Sequence, residues 1–198
     1  MTTRAWMIVV LAVASASSSM PSAIYDQLAA STGTRWAIAL LFSGHGVAAI
    51  LGMTAASWIA TRLSGRSLVL PVVLALALDI VGGAIFAAGA PGNLAVLAVG
   101  RVVAGLALGV ITPLASTVIL GGRGGSAVVT AALFGGVGAG SLASGTLTGA
   151  GMGIAAALGV GVLALAATAA LVFLIRGGSP DVATASGTPF AGSGVAWT

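Results

Sequence analysis

The stretch NLAVLAVGRVVAGLALGVITPLASTVIL, residues 93–120, decides the fold. It holds 28 residues and a single charge, Arg101. The hydrocarbon core of a bilayer is about 30 Å thick and takes about 20 apolar residues as a helix, so this run is long enough to cross it. A charge inside such a run costs at least about 2.5–3.5 kcal/mol on insertion scales, and it usually faces protein or a water-filled cavity. Arg101 stands about 12 Å of helix rise beyond Asn93, too deep for a simple interfacial anchor. The plainer alternative is a side chain that snorkels outward.

The rest of the chain has the same character. Of its 198 residues 59% are hydrophobic and 5% charged, with a mean hydropathy of +1.18. Soluble domains carry about a quarter charged residues. This chain cannot cover a water-facing surface, so it is expected to be an all-α integral membrane protein with lipid as its solvent. It has no cysteine, which excludes disulfides and thiolate sites. The formal charge of +4 would suggest nucleic acid in a soluble protein, but here the placement of the arginines matters more. Lysine is absent and Ala and Gly abound, an association with GC-rich bacterial genomes.

Six spans are expected, at about 5–24, 36–60, 68–90, 93–120, 127–150 and 152–175. Charge or turn chemistry separates them: DQLAASTGTR, TRLSGRS, APGN, GGRGGS and the uncharged TGAGMG. Arg4, Arg62, Arg66, Arg123 and Arg176 then fall on one side, against Arg35 and the nearby Asp26 on the other. The positive-inside rule places that side, with both termini, in the cytoplasm. The expected location is the inner (plasma) membrane of a bacterium. The opening MTTRAWMIVVLAVASASSS also reads as a cleavable signal peptide, which would leave five spans. Residues 177–198 are small, polar and rich in Gly and Pro, and are expected to form a flexible tail.

Three stretches carry a resemblance to the amino-terminal half of a major facilitator superfamily transporter. In SWIATRLSGRS, after the second span, Ser57 takes the first Gly of the pattern G-x-L-A-D-R-x-G-R-R/K. Ile59 takes its Leu, and Ala60, Arg62 and Arg66 match in register. Thr61 replaces the Asp, Ser64 the second Gly and Gly65 an Arg, so the acid that helps latch this loop to the other half is missing. In LAVGRVVAGLALG the pattern l-x-x-x-R-x-x-q-G meets Leu97, Arg101 and Gly105, with Ala104 for Gln. In FGGVGAGSLASGTLTG the pattern g-x-x-x-G-P-x-x-G-G of proton-coupled exporters meets Gly136, Gly140 and Gly145. Ser141 and Ser144 stand where Pro and Gly are expected. Small-xxx-small packing of helices accounts for the glycines on their own.

The resemblance covers residues 1–176. It implies a 3+3 inverted-repeat bundle, one half of the major facilitator fold, and a tail similar to the start of the central loop. It also implies proton-coupled efflux of small amphipathic or hydrophobic solutes. One half cannot alternate access alone, so the partners expected are a second copy or a separately encoded half, besides lipid, solute and protons. The alternative is a truncated, non-transporting protein or a modulator of a full transporter.

Candidate functional side chains are few. Asp79, mid-span, must pair or be protonated, and a pair with Arg101 is expected, the alternative being an Asp79 that faces lipid or another subunit. His45 falls where related exporters carry a cavity-facing aromatic, and it titrates near neutrality in water; packing is the plainer role. Tyr25 and Asp26 close the first span, more as an interfacial anchor than a binding site, and Pro21 is expected to bend that end. One His and no Cys or Glu leave too few ligands for a metal site, so no cofactor is expected. An intramembrane rhomboid-type protease needs a Ser before its His. His45 precedes every candidate Ser, such as Ser144, so no enzyme is expected.

Overall fold

Lipid offers no hydrogen-bond partner to a backbone, so apolar segments of this length satisfy their N–H and C=O groups as helices. The computed structural model describes residues 3–25, 30, 36–62, 68–89, 93–122 and 124–177. Asp26, Arg35, Arg66, Arg123 and the tail from 178 lie outside the described residues. The elements are α1 (Thr3–Ser19) with a 3₁₀ turn (Met20–Ile24), α2 (Trp36–Arg62), α3 (Val69–Gly89), α4 (Leu94–Leu120), α5 (Gly125–Gly149) and α6 (Ile154–Gly177). No strand occurs among the described residues. Six of these segments are long and apolar enough to cross a membrane, so the chain is an all-helical, multi-pass membrane protein.

Local chemistry sets the breaks. The Asn93 side chain accepts the Val96 N–H at 3.3 Å and caps α4. Gly124 (φ 65°) precedes α5, and Gly151 (φ 87°) turns the chain between α5 and α6, in left-handed conformations that cost glycine little. Pro21 lies in the 3₁₀ turn, where the regular α-helix of α1 has already ended.

Helix α4 is the hub. It packs on α2 and α3 most extensively and on α1 as well, while α1 also meets α5 and α6, and α3 meets α6. One apolar cluster, including Trp6, Leu11, Leu76 and Leu114, fills the end near Arg4 and Arg62. A second, including Met20, Leu41, Phe86 and Leu97, fills the opposite end. Serines of α1, His45, Asp79 and Arg101 lie between the two.

The tightest crossings are made by glycine. A Cβ at Gly105 or Gly109 would collide with the His45 or Ala49 carbonyl of α2, and one at Gly136 or Gly140 with the Ala12 or Ala16 carbonyl of α1. Helices in lipid gain no hydrophobic drive to associate, so such close backbone contact is a main source of cohesion. Gly145 is exposed instead, and Ser144 continues the α5 row. The Ser144 hydroxyl is fully buried and donates to the Met20 carbonyl at 2.6 Å. A helical row advances by four residues at 136, 140 and 144, and position 145 falls about 100° further round. Ser19 donates to the Val137 carbonyl at 2.9 Å, and Ser22 and Ser141 share a hydrogen bond of 3.0 Å, so hydroxyls extend the seam.

Gly109→Ala and Gly140→Ala are each expected to lower stability by about 1–3 kcal/mol, the usual cost of overpacking. Gly138→Ala, which meets open space, should be neutral or stabilising because Ala favours the helix by about 1 kcal/mol. Thermal unfolding of the purified variants in detergent checks both expectations.

Candidate functional site

Arg101 extends into the interior and not outward: its side chain is 5% exposed. Nη1 donates to the Ser18 carbonyl at 3.0 Å, and the guanidinium lies 5.7 Å from the centroid of the Phe86 ring, within cation–π range. The 3₁₀ turn explains the available acceptor. A 3₁₀ bond from the Ser18 carbonyl would need an N–H at residue 21, and Pro21 has none. The Arg101 side chain supplies a donor there.

His45 reaches the same place from α2. The backbone contact of its carbonyl with Gly105 brings its ring beside the Arg101 main chain. Nδ1 lies 3.1 Å from the Arg101 carbonyl oxygen, which can only accept, so Nδ1 carries the proton and donates. In the neutral ring Nε2 then accepts from the Ser18 hydroxyl, at 2.9 Å. Ser18 therefore contacts both residues, through its carbonyl to Arg101 and its hydroxyl to His45.

That contact corrects the chain-order argument against a Ser–His pair, because Ser18 does precede His45. The pair sits in a confined setting. Ser18 sits within α1, where neighbouring N–H groups serve the helix, and the adjoining cavity of about 20 Å³ has room for about one water.

Asp79 is 1% exposed, inside the bundle and not against lipid. It lines that cavity together with Ser17, Ser18, Phe86 and Arg101. The expected direct pair with Arg101 is absent: Asp79 Oδ2 and Arg101 Nε have no hydrogen-bond partner among the described residues. The register accounts for this. Gly82 packs on Ala104 and Gly100 on Phe86, which sets Asp79 beyond Arg101 toward the C-terminal end of α4. A helical side chain leans toward its own N-terminus, so Arg101 leans away from Asp79 toward Ser18.

Tyr25 is buried in the apolar cluster of its end and not exposed as an anchor. Its hydroxyl lies near the Arg101 guanidinium without a hydrogen bond of good geometry. The loop-pattern residues lie away from this layer. Ser57 is exposed and donates to the Met53 carbonyl at 3.0 Å, Thr61 donates to the Trp58 carbonyl at 2.8 Å, and Arg62 stacks 4.2 Å from the Trp58 ring. Among the described residues no three metal-ligating side chains cluster. Ser17, Ser18 and Phe86 escaped the sequence reading; the run SASSS at 15–19, polar within an apolar helix, was the available signal.

No model of a known protein family matches the chain, and no curated protein matches it.

The Ser18→Ala/His45→Ala double-mutant cycle is expected to show a coupling of about 0.6–1.7 kcal/mol, the range for interhelical hydrogen bonds in membranes. With a single histidine in the chain, ¹⁵N NMR should show one neutral ring protonated at Nδ1. A ring protonated at Nε2 overturns this assignment.

Proposed function

We propose that the chain is one six-helix half of a major-facilitator-type transporter. It exports small amphipathic or hydrophobic solutes against protons, together with a second copy or a separately encoded half. The observation that carries this reading is the pattern of helix neighbours. The six most extensive helix pairs, α1·α5, α2·α4, α3·α4, α1·α6, α1·α4 and α3·α6, map onto one another or onto themselves when the first three helices exchange places with the last three. A 3+3 repeat produces that property, and the resemblance implies such a repeat. The slighter contacts α4·α5, α5·α6 and α1·α3 have no comparable counterpart among the described residues. The arginine distribution supports both termini in the cytoplasm, and the absence of lysine with abundant Ala and Gly supports a bacterial inner membrane.

The interior agrees with this reading. Arg101, His45 and Asp79 form a polar layer between two apolar clusters, which suits a group of residues that handles charge within the membrane. Elsewhere the spans offer mostly Ala, Gly, Ser and Val, which favours hydrophobic solutes over sugars or charged metabolites that need many hydrogen bonds. Exposed glycines on α5, at 135, 138 and 149, meet open space and leave room for a partner's backbone.

One observation favours the non-transporting alternative, a modulator or remnant of a transporter. Thr61, at the position of the latch acid, turns its hydroxyl onto its own helix, and Arg62 lies on Trp58. Thr61 has no charge with which to latch a second half.

The purified chain in nanodiscs is expected to be a dimer or to bind a companion chain. In proteoliposomes a pH gradient should drive movement of a hydrophobic cation, and Arg101→Leu should abolish it. A strict monomer that moves no solute overturns the transport reading.

A further inference from the structure

The cavity between α1, α3, α4 and α6 is lined by one acidic and one basic side chain, both buried. Asp79 on α3 is 1% exposed and Arg101 on α4 is 5% exposed, and their buried Oδ2 and Nε atoms have no hydrogen-bond partner among the described residues. No ion pair joins them, although both line a cavity of about 20 Å³. A water needs about 10–15 Å³ by this measure and two to four polar partners. We propose that this cavity is a binding site for one water molecule, which accepts from Arg101 Nε–H and donates to the Asp79 carboxyl group. Ser17, which lines the same cavity, supplies a hydroxyl as its third partner.

Charge selects the occupant. A metal cation would meet the guanidinium, an anion would meet the carboxyl group, and an organic ligand is too large. Neutral water satisfies both walls at once. Leaving either buried group unsatisfied costs more than the direct hydrogen bond itself contributes. The site therefore joins α3 to α4 and α1 through solvent, where the packing register holds the two side chains apart. It stands independently of solute transport.

The test uses the full chain in detergent with ¹⁵N-labelled arginine, its Arg101 Nε–H assigned by through-bond correlation. A cross peak to water of the sign that marks through-space contact, not exchange, is expected at that proton. Its absence overturns the site. Stability measurements on Asp79→Leu, Arg101→Met and the double variant provide a second reading. The double variant should unfold at a temperature no lower than the weaker single variant, because a lone buried charge is worse than none. Additive losses overturn the coupling across the cavity. Ser17→Ala keeps both charges and should weaken the water cross peak; an undiminished peak removes Ser17 from the site.

Discussion

In lipid, a helix gains nothing by hiding an apolar face, because the tails around it are as apolar as the neighbouring helix. The bundle depends on that constraint. Its cohesion comes from contacts that lipid cannot imitate: backbone against backbone, and hydroxyl against carbonyl. Helix α4 meets α2 through Gly105 and Gly109, and α5 meets α1 through Gly136 and Gly140. Each glycine gives up about 1 kcal/mol of helix propensity relative to Ala, and the close approach offsets it. Where the α5 row reaches Ser144, a buried hydroxyl bound to the Met20 carbonyl takes over the same task.

The polar layer follows from the packing. Because Gly105 lets α2 lie against α4, the His45 ring reaches the Arg101 carbonyl, and Ser18 completes the link to α1. Because Pro21 supplies no N–H, a carbonyl near the end of α1 is free to receive Arg101. A buried arginine is thus held by a main-chain oxygen and an aromatic face, without a direct hydrogen bond to the Asp79 carboxyl group on α3. Neutral acceptors of this kind do not need to shed or gain a proton to keep the guanidinium in place.

Much of this was legible in the sequence, and the remainder was hidden for a definite reason. Span number and placement depend on the length and hydropathy of segments, which composition reveals without knowledge of any contact. That Arg101 turns inward follows from the cost of exposing it to lipid. Contacts between helices depend on rotation and register, and these do not appear in a nearly uniform run of Ala, Val and Leu. So Asp79 and Arg101, at similar estimated depths, read as partners, yet the packing register of α3 on α4 offsets them along the helices. Similarly, Gly145 read as part of the packing row although Ser144 occupies that face. The SASSS run read only as part of the first span, with a cleavable signal peptide as the alternative, and nothing in it singled out Ser18, which joins α1 to both Arg101 and His45.

The outer surface poses the question that the interior does not answer. Helices α2 and α5 turn large side chains outward, such as Phe42, Ile50, Phe134 and Leu142. In lipid this needs no explanation. The glycines at 135, 138 and 149 do need one, since a Cβ at each would meet nothing. A lipid-facing helix of Ala or Leu would be more stable at those positions. Inside the bundle, the same residue type lowers helix propensity and gains backbone contact in return. On the open face of α5 the first effect is present and the second is not, as long as the chain stands alone. The proposed second half would restore the balance by bringing another helix against that face.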